Sequence, residues 1–146
     1  MDTLRLDDQA CFAVHAASRA LDAVYRRELA ALGLTYPQYL VMLVLWERGQ
    51  VSVKDLGVAL RLDSGTLSPL LKRLEAAGLV RRERDPGDER SVLVRLTPEG
   101  TLLRARAEPL PRRIMEASGM GPDELADLHR TLSRLTRSLT ESAARA

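Results

Sequence analysis

The sequence predicts a mainly α chain carrying one small β-hairpin, on three observations. Alanine and leucine are abundant, while the aromatics amount to one Phe, one Trp and three Tyr. That balance favours helix, because Ala and Leu lose little on entering one. Two short helical stretches, from Ser52 to Leu60 and from Asp63 to Ala77, are separated by a turn of about three residues, the proportions of a helix-turn-helix. Directly after them, two short β-branched or alternating runs flank Asp85-Pro86-Gly87-Asp88 and read as a hairpin. A helix-turn-helix followed at once by a hairpin is the winged-helix arrangement, and its business is duplex DNA.

The bulk properties agree with this class. At 146 residues the chain fits one domain and can bury a core without disulfides or metal. Its single cysteine excludes an internal disulfide framework and suits a reducing cytosol. No apolar run reaches the length of a membrane span and no charged-then-apolar leader opens the chain, so the expected location is the cytoplasm. Net charge is only +2, which alone says little about nucleic acid. The distribution says more. Nearly all the positive charge is arginine, with Lys54 and Lys72 the two lysines, and Arg81, Arg82, Arg84 and Arg90 gather around one turn.

Taken in order, a first helix is expected from about Asp7 to Leu32, with Gly33 as its stop. At about 100° per residue, Leu6, Ala10, Ala13, Ala17, Leu21 and Val24 fall on one apolar face. A second helix follows: Thr35 and Gln38 have capping-box spacing, Pro37 sits in the first turn and Gly49 ends it. Its body, from Tyr39 to Trp46, is apolar nearly all round and is the candidate central buried helix. Ser52 can cap the next helix, with Asp55 three residues on, and Asp63 is the N-cap of the helix that Gly78 stops. Pro69 lies inside that helix at the cost of a backbone hydrogen bond, so either the helix runs through or Ser68 caps a restarted one. In the hairpin, Pro86 then Gly87 is the pattern of a type II turn. Thr97 caps a further helix with Pro98 at its first position, and Pro109 and Pro111 break or kink it. The last helix, from Gly121 onward, carries Leu125, Leu128, Leu132, Leu135 and Leu139 on one stripe.

The second helix of the helix-turn-helix has two unlike faces. With Leu67 at zero degrees, Leu70, Leu71 and Leu74 lie within about 60° and form the buried side. Gly65, Pro69, Lys72, Arg73 and Ala76 face the other way, flanked by Thr66 and Ser68, with Ser64 at the helix start. Small residues, hydroxyls and two cations suit a helix that approaches DNA closely. Hydroxyls and backbone amides bind phosphates or base edges, and Lys72 and Arg73 neutralise phosphate or reach bases. An ordinary solvated face carries the same residue types, and the helix alone leaves both readings open; an arginine-rich hairpin directly behind a helix-turn-helix favours contact with DNA. There Arg90, just after the turn, is placed to enter the minor groove, where negative potential is concentrated. Asp88 is placed to hold the wing in shape by pairing with an arginine.

Cys11 is the remaining residue with chemistry of its own. With Cys11 at zero degrees, His15, Ser18 and Asp22 lie within about 40° and Tyr25 at the same edge, so the thiol borders the apolar face. A thiol becomes reactive when a cation, a helix N-terminus or hydrogen-bond donors stabilise its thiolate. Cys11 falls within the first one or two turns, and tyrosine hydroxyls or His15 can donate to it. A small buried hydrophobe also explains a lone cysteine, and free cysteine is often that. Spacing leaves both readings open.

These residues resemble the MarR family of dimeric winged-helix regulators. The marks are the helix-turn-helix, "LEAAGLV" from Leu74, a wing with Asp88-x-Arg90, and "LTPEG" from Leu96. The resemblance runs from about Leu6 to Ala143. Within the family the chain is most similar to the organic hydroperoxide-sensing (OhrR) branch of one-cysteine type, through "QACFAVHAASRAL", "LTYPQYLVMLVLWE" and "LDSGTLSPLLKRLEAAGLV".

The resemblance implies a homodimeric repressor on a pseudo-palindromic double-stranded operator. Dimerisation helices at about 7–48 and 97–143 would flank a DNA-binding region of about 51–96. It also implies that an organic hydroperoxide oxidises Cys11 to a sulfenic acid. A mixed disulfide with a low-molecular-weight thiol, or overoxidation, then releases the DNA, since the chain has no second cysteine. Tyr25 and Tyr36 match two tyrosines that hydrogen-bond the reactive cysteine across the subunit interface. His15 stands where a third tyrosine is common, and is expected to replace it in part. No cofactor is implied. One rival is a MarR-type repressor of a small, for instance phenolic, ligand with a structural Cys11. An enzymatic rival, a one-cysteine thiol peroxidase, lacks a paired cysteine or an Arg-Glu-Cys arrangement, so the chain is not read as an enzyme. Cys11, His15 and His129 lack zinc-ligand spacing.

Overall fold

The computed structural model describes residues 3–145 and divides them into two compact units, one up to Glu108 and one from Pro109 onward. In the first unit, Leu6–Asp8 make a single 3-10 turn and helix α1 spans Ala10–Leu29. The expected start near Asp7 is therefore too early. Gln9 is extended (φ −87°, ψ 106°), and its side-chain amide donates to the carbonyls of Thr3 and Arg5. The apolar periodicity runs on past the point where helical hydrogen bonding begins, which is why it misplaced the boundary. A 3-10 turn over Ala30–Leu32 then leads to Gly33, left-handed at φ 69° as a stop requires.

Helix α2, Tyr36–Arg48, has the full capping box: Thr35 Oγ1 accepts from the Gln38 amide, and Gln38 Oε1 accepts from the Thr35 amide. It buries Tyr39, Val41, Met42, Val44 and Leu45, and so forms the centre of the core. Strand β1, Gln50–Ser52, then leads into α3, Val53–Leu60, whose N-cap Ser52 accepts from the Asp55 amide. Helix α4 is Ser64–Ala76, capped by Asp63. It runs unbroken through Pro69, so Ser68 caps no second helix. The lost bond falls on the Gly65 carbonyl, on the solvent side. Leu67, Leu70, Leu71 and Leu74 are all buried.

The wing is β2, Val80–Asp85, and β3, Asp88–Leu96, in a three-stranded antiparallel sheet of order β1-β3-β2. The turn between them is not type II, which needs a positive φ at Gly87; positive-φ glycines are Gly33, Gly49, Gly78 and Gly119. Asp85 Oδ1 accepts from the Gly87 amide at 2.9 Å and closes the turn from the side chain, beside a register shift at Arg84/Asp85. The sheet's third strand, β1, pairs with β3 through Val51 opposite Val94. Both are buried.

Helix α5, Pro98–Ala107, is capped by Thr97 and locked onto the sheet. The Thr97 amide donates to the Leu79 carbonyl (3.1 Å), its hydroxyl to the Gly78 carbonyl (2.6 Å), and Trp46 Nε1 to the Gly100 carbonyl (2.9 Å). The second unit contains α6, Leu110–Ser118, with Pro109 as N-cap and Pro111 in its first turn, and α7, Pro122–Ala144. The prolines thus break the helix as expected. Two faces stay uncovered. Helix α1 buries only Leu29, with Ala10, Ala13, Ala17 and Leu21 exposed, and α7 buries nothing fully, leaving Leu128, Leu132 and Leu139 exposed. Among the described residues no single helix is long and apolar enough to cross a membrane.

Candidate nucleic-acid interface and thiol

Burying four leucines fixes which side of α4 meets solvent. Ser64, Gly65, Thr66, Ser68, Pro69, Lys72 and Arg73 are all exposed on it, as the sequence pattern required. Among the described residues neither Lys72 nor Arg73 enters an ion pair, so both charges remain available. The Asp63 carboxyl is held below its ordinary value chiefly by the hydrogen bond from the Thr66 amide, at 2.7 Å. It stays ionised at the helix start, where a negative charge is favourable.

The wing's arginines divide by role. Arg82 belongs to the scaffold: its Nε donates to Glu75 Oε1 at 2.6 Å and its amide to Oε2 at 3.2 Å, tying β2 to α4 through one carboxylate. Burial pushes the Glu75 carboxyl up, but the bonds and charge of Arg82 outweigh this and hold it below the usual value. Arg95 pairs with Glu83 at 2.6 Å and donates to Gln50 at 3.0 Å, and Arg84 donates to the Glu89 carbonyl. Among the described residues Asp88 pairs with no arginine side chain. Its Oδ1 accepts from the Arg90 amide at 3.0 Å, so it shapes the wing through the backbone and leaves the Arg90 guanidinium unpaired among the described residues.

Between α3, α4 and the wing lies a cleft of about 920 Å³. It brings together Ser64, Ser68, Asp88 and Arg90 with two residues the sequence reading passed over, Lys54 and Arg61. No helical spacing pairs them in the sequence, because Arg61 is left-handed and lies beyond the last residue of α3.

The thiol site is built differently. Cys11 is the second residue of α1, exposed, with His15 exposed one turn on. Tyr25 and Tyr36 pack with ring centroids 4.4 Å apart, and Tyr39 joins them at 6.0 and 6.5 Å. The uniformly apolar neighbours of Tyr39 in α2 mark it in the sequence as core alone. Burial, with Tyr36 and Tyr39 nearby, pushes the Tyr25 phenol up to about 12. Burial also raises Tyr36, aided by the Asp22 carboxylate, and Tyr39, aided by Tyr36. All three hydroxyls therefore hold their protons and can donate at neutral pH. At 1.5 Å per residue, Tyr25 lies about 21 Å along α1 from Cys11. Within one chain the thiol and these tyrosines do not meet.

Comparison with known proteins bears on both sites. The family model described as MarR family matches residues 34–92. The organic hydroperoxide resistance transcriptional regulator of Bacillus subtilis (strain 168) is 44% identical over 138 residues, 94% of each chain. The HTH-type transcriptional regulator TtmR of Methylorubrum extorquens (strain PA1) is 54% identical over 123 residues, 84% of this chain; that stretch spans 63% of TtmR's own length. Among solved structures, reduced AbfR bound to DNA superposes with a TM-score of 0.79 at 34% identity, covering 95% of this chain and 97% of the other. Disulfide-formed AbfR does so at 0.64 and 37%, covering 92% and 95%.

Proposed function

The chain belongs to the MarR family of DNA-binding transcriptional regulators, and from that premise we propose that it is a homodimeric repressor that releases its operator when an organic hydroperoxide oxidises Cys11. The observation that carries this reading is the separation of the thiol from its donors. Cys11 is exposed in the first turn of α1, while Tyr25 and Tyr36 form a proton-holding pair at the other end of the same helix. Both α1 and α7 leave apolar residues uncovered. Pairing two chains through these helices buries that surface and sets the Cys11 of one subunit against the tyrosines of the other. Likeness to the Bacillus hydroperoxide-resistance regulator supports the same assignment.

The Cys11 thiolate attacks the terminal oxygen of ROOH, the O–O bond breaks, and the alkoxide leaves as ROH after taking a proton. The sulfenic acid then condenses with a low-molecular-weight thiol, losing water and forming a mixed disulfide, or is oxidised further by a second hydroperoxide. Tyr25 and Tyr36 donate to the thiolate, and His15 takes part of a third donor's place. On the DNA, α4 reads the major groove with Ser64, Gly65, Thr66, Ser68, Pro69, Lys72 and Arg73. Arg90, aimed by Asp88, enters the minor groove.

The deciding experiment is a gel shift on DNA upstream of the protein's own reading frame, with and without cumene hydroperoxide, for wild type and Cys11→Ser. The variant should bind and ignore the peroxide. A reduced variant that no longer binds, or one that still responds fully, would overturn the sensing role. Release of the variant by a small phenolic acid instead would favour a ligand-controlled repressor with a structural Cys11.

A further inference from the structure

The turn between α3 and α4 holds a residue its geometry disfavours. Arg61 is left-handed (φ 58°, ψ 42°), and among the described residues it is the one non-glycine with a positive φ. The turn needs that conformation. The chain reverses between two helices in three residues, with the Arg61 amide on the Val58 carbonyl (3.3 Å) and the Leu62 amide on the Gly57 carbonyl (2.9 Å). Space is short: a Cβ at Gly57 would lie 2.9 Å from the Leu62 carbonyl oxygen. Glycine is the residue such a position favours on backbone grounds, because any Cβ crowds the following carbonyl. Arginine gains nothing there from packing, since its side chain is exposed and among the described residues makes no ion pair. Strain of this kind collects where a side chain serves binding.

The surroundings say what it would bind. Arg61 lines the cleft beside α4 together with Lys54 and Arg90, among the hydroxyls of Ser52, Ser64, Ser68 and Ser91. Asp88 is the sole acid in that lining, and its Oδ1 accepts from the Arg90 amide. Lys54 and Arg61 stand at the two ends of α3, roughly 10 Å apart along its axis, on the side that leads to α4's exposed face. Two cations in line, neither in an ion pair among the described residues, next to a helix that enters a groove, match the rail of phosphates bordering that groove.

We propose that Arg61, with Lys54, grips the DNA phosphate backbone beside the groove entered by α4, so that the helix-turn-helix turn itself fixes the docking register. This rests on the DNA-binding assignment above. Each phosphate neutralised releases condensed counterions, steepening the fall of affinity with salt by about 0.9 in log K against log salt. At 0.1 M salt that contact is worth roughly eightfold in affinity per subunit.

The test compares wild type, Arg61→Gly and Arg61→Lys on a duplex selected by the wild-type protein from a randomised pool. Affinity is measured across a salt series, and melting is followed by circular dichroism. Arg61→Gly removes the charge and relieves the strain. It should melt about 2–4 °C higher and yet bind roughly eightfold more weakly per subunit at 0.1 M salt, with a shallower salt slope. Arg61→Lys keeps the charge and should retain the slope. Arg61→Gly binding with the wild-type slope would overturn the phosphate contact. A variant melting below wild type would overturn the claim that strain is retained for binding. Failure of the wild-type protein to enrich any duplex would instead bring down the DNA-binding assignment.

Discussion

Gly100→Ala puts the junction between the wing and the helix that follows it under direct test. An alanine Cβ at this position would lie 2.1 Å from the Leu79 carbonyl oxygen and 3.2 Å from Leu96 Cδ2. The obstacle is backbone, so the first turn of α5 must retreat by about 1 Å, a forced overpacking that typically costs about 1–3 kcal/mol. That movement stretches the Thr97-to-Leu79, Thr97-to-Gly78 and Trp46-to-Gly100 hydrogen bonds, each with a net value of about 1 kcal/mol. Against this, alanine gains at most about 1 kcal/mol in helix propensity, and less in a first turn. The balance is a loss of about 2–3 kcal/mol, lowering the melting temperature by roughly 5–10 °C.

Gly65→Ala is the control. Gly65 is exposed in α4, and an added Cβ would meet only the Asp63 carboxylate at 3.5 Å, an ordinary contact. The same chemical change there should stabilise by up to about 1 kcal/mol. Urea unfolding followed by circular dichroism measures both. Gly100→Ala as stable as wild type would refute the argument, because it would mean that the close approach of α5 to Leu79 is not what the glycine is for.

Glu75 has a carboxyl below its ordinary 4.5 in the folded chain, so its stabilising effect is complete above that pH and fades as pH falls through the folded value. Urea midpoints of wild type and Glu75→Gln should therefore differ by the equivalent of about 1 kcal/mol at neutral pH and converge in acid. Tyr25 holds its proton to about 12 when folded against 10.0 otherwise, so stability should fall as pH rises across that interval, and Tyr25→Phe should flatten the fall. If Tyr25 is also a thiolate donor, the same variant slows sulfenic acid formation at Cys11, read by a dimedone-type trap.

What sequence reveals here is set by how local the cause is. Thr35 with Gln38, Ser52 with Asp55, Asp63 with Thr66 and Thr97 with Gly100 all close caps within three residues, and each helix start they mark is where its cap places it. The four leucines of α4 could be assigned to its buried side because one period suffices. Strand β1 escaped because three residues carry no period, and it exists only through β3, more than forty positions away. The Glu75–Arg82 tie escaped for a related reason. An acid in a helix and an arginine in a strand look like separate solvated charges until the hairpin folds back. The type II turn was a plausible pattern undone by a side chain, since Asp85 closes the loop that Gly87 was expected to close by its backbone.

The stripe on α1 is the more instructive case. Its spacing predicts a buried face, yet only Leu29 at the far end is buried. Periodicity reports that a face is destined to be covered, without saying by which chain. The same ambiguity governs Cys11. Its place at the second position of α1 puts it beside amides that have no partner within the helix and that no side chain caps. Tyr25 lies some 21 Å away along that helix. On the proposed function these are the two halves of one thiol site, which one chain carries at opposite ends of one element. Under the proposed function, two antiparallel copies of α1 complete both halves at once, burying the stripe in the same step. Reactivity toward hydroperoxide then depends on dimerisation. A substitution that separates the subunits, such as Leu21→Glu on the exposed stripe, should slow Cys11 oxidation as well as abolish operator binding. Sedimentation and thiol-oxidation rates on the same sample decide it: a monomer that oxidises as fast as the wild-type protein would show that the tyrosines of a second chain play no part.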